Sequence, residues 1–121
     1  MVKKVMVVDD SITDRENIRM ALSDVGCIVI TASNGREAVA KAVAEKPAVI
    51  FMDVVMPEMD GYETCRQLAS NVDTKDIPVV FVTSKGEKAD RVWAEIQGAK
   101  GHVAKPFKSD ELIDQLKVHA R

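Results

Sequence analysis

The sequence predicts an α/β fold, a five-stranded parallel sheet with helices on both faces. Two observations predict it. Five short runs rich in β-branched residues recur along the chain, and five stretches with apolar residues at helical spacing alternate with them. The runs show no polar alternation, which suits strands covered on both faces. A regular strand–helix alternation calls for parallel strands with helices packed on either side. At 121 residues the flavodoxin-like (βα)5 arrangement, strand order 2-1-3-4-5, is the common solution. A barrel of eight such units needs roughly twice the length. The chain is therefore expected to be one domain, residues 1–121, with its own core.

Each element can be justified in turn. The first strand is expected at Val5–Val8, running into Asp9 and Asp10. Ile18, Ala21, Leu22 and Val25 stripe the first helix. Thr13 with Glu16 three residues on predicts a capping box at its start, and Gly26 stops it. Ile28–Ile30 forms the second strand, and Ala38, Val39, Ala42 and Val43 stripe the second helix, with Pro47 past its end. Val49–Met52 runs into Asp53, and Tyr62, Cys65, Leu68 and Ala69 mark the third helix. Val79–Val82 precedes Thr83 and Ser84. Ala89, Val92, Trp93 and Ile96 stripe the fourth helix, which favours Trp93 as a core residue over an output contact. A weaker run, His102–Ala104, leads to Lys105, and Leu112, Ile113 and Leu116 close the chain as a last helix.

Composition removes several function classes. A net charge of −2 gives no polyanion-binding surface, so no nucleic-acid partner is expected. No apolar run approaches the roughly 20 residues that span a bilayer, and MVKKVMVVDD lacks the long apolar core of a signal peptide. Cys27 and Cys65 lie far apart without a C-x-x-C or His-rich context, and are expected as free thiols in a reducing cytoplasm.

Chemistry concentrates where open α/β sheets bind ligands, beyond the carboxyl ends of the strands. Asp9 and Asp10, Asp53, Thr83 and Ser84, and Lys105 all fall there. Singly, each has an ordinary reading: a capping loop, a turn cap, loop hydroxyls, a solvated lysine. One strand order brings all of them to one edge, and that combination is what the ordinary readings leave unexplained. Three clustered carboxylates raise one another's pKa unless a cation sits among them. Magnesium suits such a set. Calcium lacks its D-x-D-x-D-G loop, and zinc lacks a nearby His or Cys. Carboxylate, magnesium, hydroxyl and lysine together point to phosphoryl transfer onto an aspartate. Asp53 is then the nucleophile, Lys105 and the metal neutralise charge, and Thr83 donates to a phosphoryl oxygen.

VDDS at 8–11, D-x-x-M-P-x-M-D-G at 53–61, TS at 83–84 and KPF at 105–107 together resemble the receiver domains of two-component response regulators. The motifs cover nearly the whole chain, in order. The resemblance implies that Asp53 is the phosphoacceptor. It implies magnesium bound directly by Asp10, Asp53 and the Val55 backbone carbonyl, with Asp9 holding a metal-bound water. Thr83 is implied as the switch hydroxyl, Lys105 as the phosphate-sensing lysine and Lys105–Pro106 as a cis peptide. The implied partners are a sensor histidine kinase or phosphotransfer protein and an output target. Phosphorylation is expected to change the surface of helix four, strand five and helix five. No output domain is expected, as in stand-alone, chemotaxis-type regulators. TSKGEKADRVWAEIQGAKGHVAKPF further resembles regulators of type IV pilus and twitching motility.

The sequence departs from the family at one position. His102 stands where receivers usually carry an aromatic that swings inward, and a histidine there can charge near neutral pH. It reads either as that switch or as a partly exposed strand-end residue. His119 is expected on solvated helix surface. Two rivals use the same parts. An aspartyl-phosphate hydrolase needs a second Asp two residues after its nucleophile, where this chain has Val55. A phosphorylation-independent interaction module on the same fold is the other.

Overall fold

The computed structural model describes residues 3–120. Its elements are β1 (Lys4–Val8), α1 (Ile12–Ser23), β2 (Ile28–Ala32), α2 (Gly35–Glu45) and β3 (Val49–Met52), followed by α3 (Gly61–Ser70), β4 (Val79–Thr83), α4 (Lys88–Ile96), β5 (Gly101–Ala104) and α5 (Ser109–His119). All strand pairs are parallel, in the order β2-β1-β3-β4-β5. This is the expected architecture.

The sheet separates two apolar layers, and strand alternation sorts residues between them. Met6, Val8, Ile50, Met52 and Phe81 face α2, α3 and α4. Val5, Val7, Val49, Phe51, Val80 and Val82 face α1 and α5. The central strands β1, β3 and β4 are buried almost throughout, so their carboxyl ends stand on a rigid support. At the edge, β2 is less covered than its apolar run suggested, and Ile28 is exposed. An edge strand has a neighbouring strand on one side only.

Three local expectations fail. The first concerns the start of α1, where Ser11 is the N-cap, accepting a hydrogen bond from the Asp14 amide at 3.2 Å. Glu16 instead pairs with Arg19 at 2.8 Å, and Val25 lies beyond the helix, exposed. Second, the apolar stripe of α4 faces outward. Trp93 is 49% exposed and Ile96 is 66% exposed, while Ala94 is the buried residue. The inner side beyond α4 is held by polar bonds. Gln97 is buried, its side chain accepting from Arg66 at 2.6 Å and its carbonyl from the Cys65 thiol at 3.3 Å. Trp93 rests edge-on against Tyr62, with ring centroids 6.3 Å apart. Third, His119 is half-buried beside Gly101 rather than solvated.

Cys27 and Cys65 are free thiols, and burial pushes the Cys65 thiol up to about 11. Lys105–Pro106 is cis, as the resemblance implied. No helix among the described residues is long and apolar enough to cross a membrane.

Candidate functional site: an acidic cluster at the strand ends

The parallel sheet brings the ends of β1, β3, β4 and β5 to one edge. Asp9 follows β1, and its amide donates to the Ala32 carbonyl at 3.1 Å. Its carboxylate is fully buried, with Oδ1 accepting from the Ser11 amide and Oδ2 from the Lys105 ammonium, both at 2.9 Å. Burial pushes the Asp9 carboxyl above its ordinary value, against the pull of Lys105 and the Ser11 amide. Such a carboxylate calls for a cation beside it.

Asp53 follows β3, its amide donating to the Val8 carbonyl at 2.9 Å. It is nearly buried. Its Oδ1 accepts from the Val54 amide at 2.8 Å, and its Oδ2 lies 3.5 Å from the Lys105 ammonium. Gly61 braces this corner. Its amide donates to the Val54 carbonyl at 2.8 Å, and a Cβ there would strike the Asp53 carbonyl oxygen. Asp10 is the exposed member of the acidic set. Asp9, Asp10 and Asp53 each offer a carboxylate oxygen, all within 4.8 Å of one another. Val55, exposed, lies in the loop after Asp53.

Lys105 follows β5, and its amide donates to the Thr83 carbonyl at 2.9 Å. Burial opposes its charge, but hydrogen bonds to Asp9 and Asp14 and the nearby charges of Asp53 and Asp9 outweigh it. The ammonium is therefore held above the ordinary lysine value. Thr83, the last residue of β4, is fully buried, and its Oγ1 accepts from the Lys85 amide at 3.2 Å.

The structure thus gathers Asp9, Asp10, Asp53 and Lys105 into one cluster, with Thr83 on the adjacent strand end. His102 stands apart. It pairs in register with Phe81 and is half-buried. Burial lowers its pKa, a hydrogen bond to the Lys85 backbone raises it, and Arg91 and Asp90 of α4 pull in opposite directions. Its Nδ1 is buried without a hydrogen-bond partner among the described residues.

Sequence reasoning missed two members. Asp14 accepts from the Lys105 ammonium at 2.9 Å, and the Arg15 guanidinium donates to the Asp9 carbonyl at 2.9 Å. An acid in a first helical turn reads as favourable to the helix dipole, which hides any second role.

The donor set is all carboxylate oxygen, without His or Cys, and fits a hard cation such as magnesium.

The comparisons agree with this geometry. A family model described as the response regulator receiver domain matches residues 5–117. The protein PilG of Pseudomonas aeruginosa is 41% identical over 116 residues, covering 96% of this chain and 86% of PilG. The crystal structure of the chemotaxis protein CheY4 of Vibrio cholerae superposes with a TM-score of 0.92 at 34% identity, covering 98% of this chain and 99% of that one. The receiver domain of the sensor histidine kinase PA1611 of Pseudomonas aeruginosa gives a TM-score of 0.91 at 26% identity, covering 99% of this chain and 98% of that one. It was solved with a magnesium ion coordinated in its active-site cleft.

Proposed function

The chain belongs to the response regulator receiver domain family, and from that premise we propose that it accepts a phosphoryl group on Asp53 from a histidine kinase or phosphotransfer protein. The observation that carries this reading is the surroundings of Asp53. A nearly buried carboxylate ends a rigid strand, pinned by the Val54 amide, facing the Lys105 ammonium and grouped with Asp9 and Asp10. That arrangement presents a nucleophile in fixed position beside charge that can stabilise a transferring phosphoryl group.

The chain's residues divide the work. Asp53 attacks phosphorus as the donor's P–N bond breaks. Lys105 pairs with a phosphoryl oxygen, and Thr83 turns its hydroxyl to donate to another. Asp10, Asp53 and the Val55 carbonyl would hold magnesium, with Asp9 placed to hold a metal-bound water. When bound, the metal neutralises charge on the transferring oxygens. The domain is a phosphoacceptor that promotes its own phosphotransfer and dephosphorylation, not an enzyme acting on a separate substrate. It works as a cytoplasmic regulator.

Phosphorylation adds roughly −1.5 to −2 charge and three strong acceptors. Drawing Thr83 and Lys105 toward them moves the loops leading into α4 and α5. The α4–β5–α5 surface is therefore the output face, and the apolar side chains that α4 leaves exposed support this. The resemblance to pilus regulators suggests an output target in pilus-based motility.

The test is incubation with acetyl phosphate, with and without magnesium, followed by intact mass. A metastable gain of one phosphoryl group that requires magnesium is expected. A protein that hydrolyses acetyl phosphate without accumulating the adduct fits the hydrolase, and one that never labels fits the interaction module.

A further inference from the structure

Lys105 is shared among more carboxylates than the phosphoryl chemistry uses. Its ammonium donates to Asp9 Oδ2 and Asp14 Oδ2 at 2.9 Å each, and reaches Asp53 Oδ2 only at 3.5 Å. An ammonium has three donors, and these three carboxylates occupy them all. Asp14 belongs to neither the acceptor nor the metal cluster. It lies in the first turn of α1, and its backbone amide, not its carboxylate, takes part in the Ser11 cap. Its side chain is 42% exposed and lines an open groove with Pro106 and Phe107.

We propose that Asp14 is a positioning residue that holds the Lys105 ammonium away from Asp53, and so sets how tightly a phosphoryl group on Asp53 is bound. The proposal rests on the reading above, that Lys105 pairs with that group.

The distances rank the competitors. Contacts of 2.9 Å are full charge-assisted hydrogen bonds, whereas 3.5 Å is at the outer limit. A phosphoryl group on Asp53 must draw the ammonium across that gap, and one of the two short bonds then gives way. Asp9 is fully buried, so bulk water cannot replace the ammonium at its Oδ2. Asp14 opens to the groove, where water replaces the lysine. Asp14 is thus the partner released, and its competition weakens phosphoryl binding in the resting protein. An ion pair with one half-exposed member supplies a factor of about two to five.

The test measures beryllofluoride affinity by calorimetry, in magnesium, for the full chain. Four proteins form a double-mutant cycle: wild type, Asp14→Asn, Lys105→Ala and the double variant. Asp14→Asn is expected to bind about two- to fivefold tighter, and Asp14→Glu to restore wild-type affinity. In the Lys105→Ala background the Asp14→Asn change is expected to have no effect. An equal gain in both backgrounds would mean that Asp14 acts by through-space repulsion alone, and overturns the proposal. So does unchanged or weaker binding by Asp14→Asn while wild type binds, an outcome that leaves the phosphoacceptor reading standing. Wild type that binds no beryllofluoride defeats both.

Discussion

Asp10 carries the most exposed charge of the acidic cluster, while Asp9 and Asp53 are buried. That difference separates metal binding from folding at the level of single residues. Asp10→Ala is expected to abolish magnesium binding and phosphorylation, while the fold stays intact and Tm holds or rises as like charges are relieved. Magnesium-dependent labelling together with thermal unfolding checks both halves, and normal labelling would place the metal elsewhere. His102 makes a prediction in pH. Its folded pKa lies below the 6.5 of the free side chain, so the folded state binds fewer protons than the unfolded chain. Its contribution to stability is then fully present above pH 6.5 and is lost as pH falls through 6.5 toward the lower folded value. Partial exposure screens the effect, so it is small. Wild type is expected to lose more Tm than His102→Phe between pH 7.5 and pH 5, each compared with its own value at pH 7.5. Parallel slopes would show that His102 titrates alike folded and unfolded.

The proposed coupling from site to surface runs through whole elements. The β3–α3 loop closes on Gly61, where a side chain would meet backbone that cannot yield. Gly61→Ala is expected to cost about 1–3 kcal/mol, the usual range for overpacking, and to slow labelling of Asp53. Denaturant midpoints and labelling rates test this, and a neutral midpoint would show that the loop has slack. The outward stripe of α4 provides a built-in reporter, because Trp93 is the sole tryptophan. Beryllofluoride is expected to change its fluorescence as the loop into α4 moves. The same stripe shows where sequence reasoning reaches its limit. Apolar residues at helical spacing located α4 correctly, but periodicity alone cannot say which way a stripe points. Ala94 and the Gln97 bonds to α3 set the inward face, and the large side chains were left outside. The Ser11 cap was missed for a similar reason. Several hydroxyl and acidic residues near a helix start can cap it, and tertiary placement chooses among them.

At the scale of the whole molecule, the five strands and their order were legible because each strand is a local apolar run and parallel connections leave few topologies. The strand-end residues were legible because the strand order dictates where they meet. Asp14 and Arg15 were not, since they enter the site from a helix whose facing toward Lys105 depends on how α1 packs. The central proposal is that Asp53 is the nucleophile, and the fold sets it at a point where charge from two other strand ends, those of β1 and β5, surrounds it. The most direct test is phosphotransfer from a radiolabelled, phosphorylated histidine kinase or phosphotransfer protein to wild type and to Asp53→Ala, in magnesium, with far-UV circular dichroism to confirm that both are folded. The account predicts label on wild type and none on Asp53→Ala. Label retained by a folded Asp53→Ala protein would contradict it.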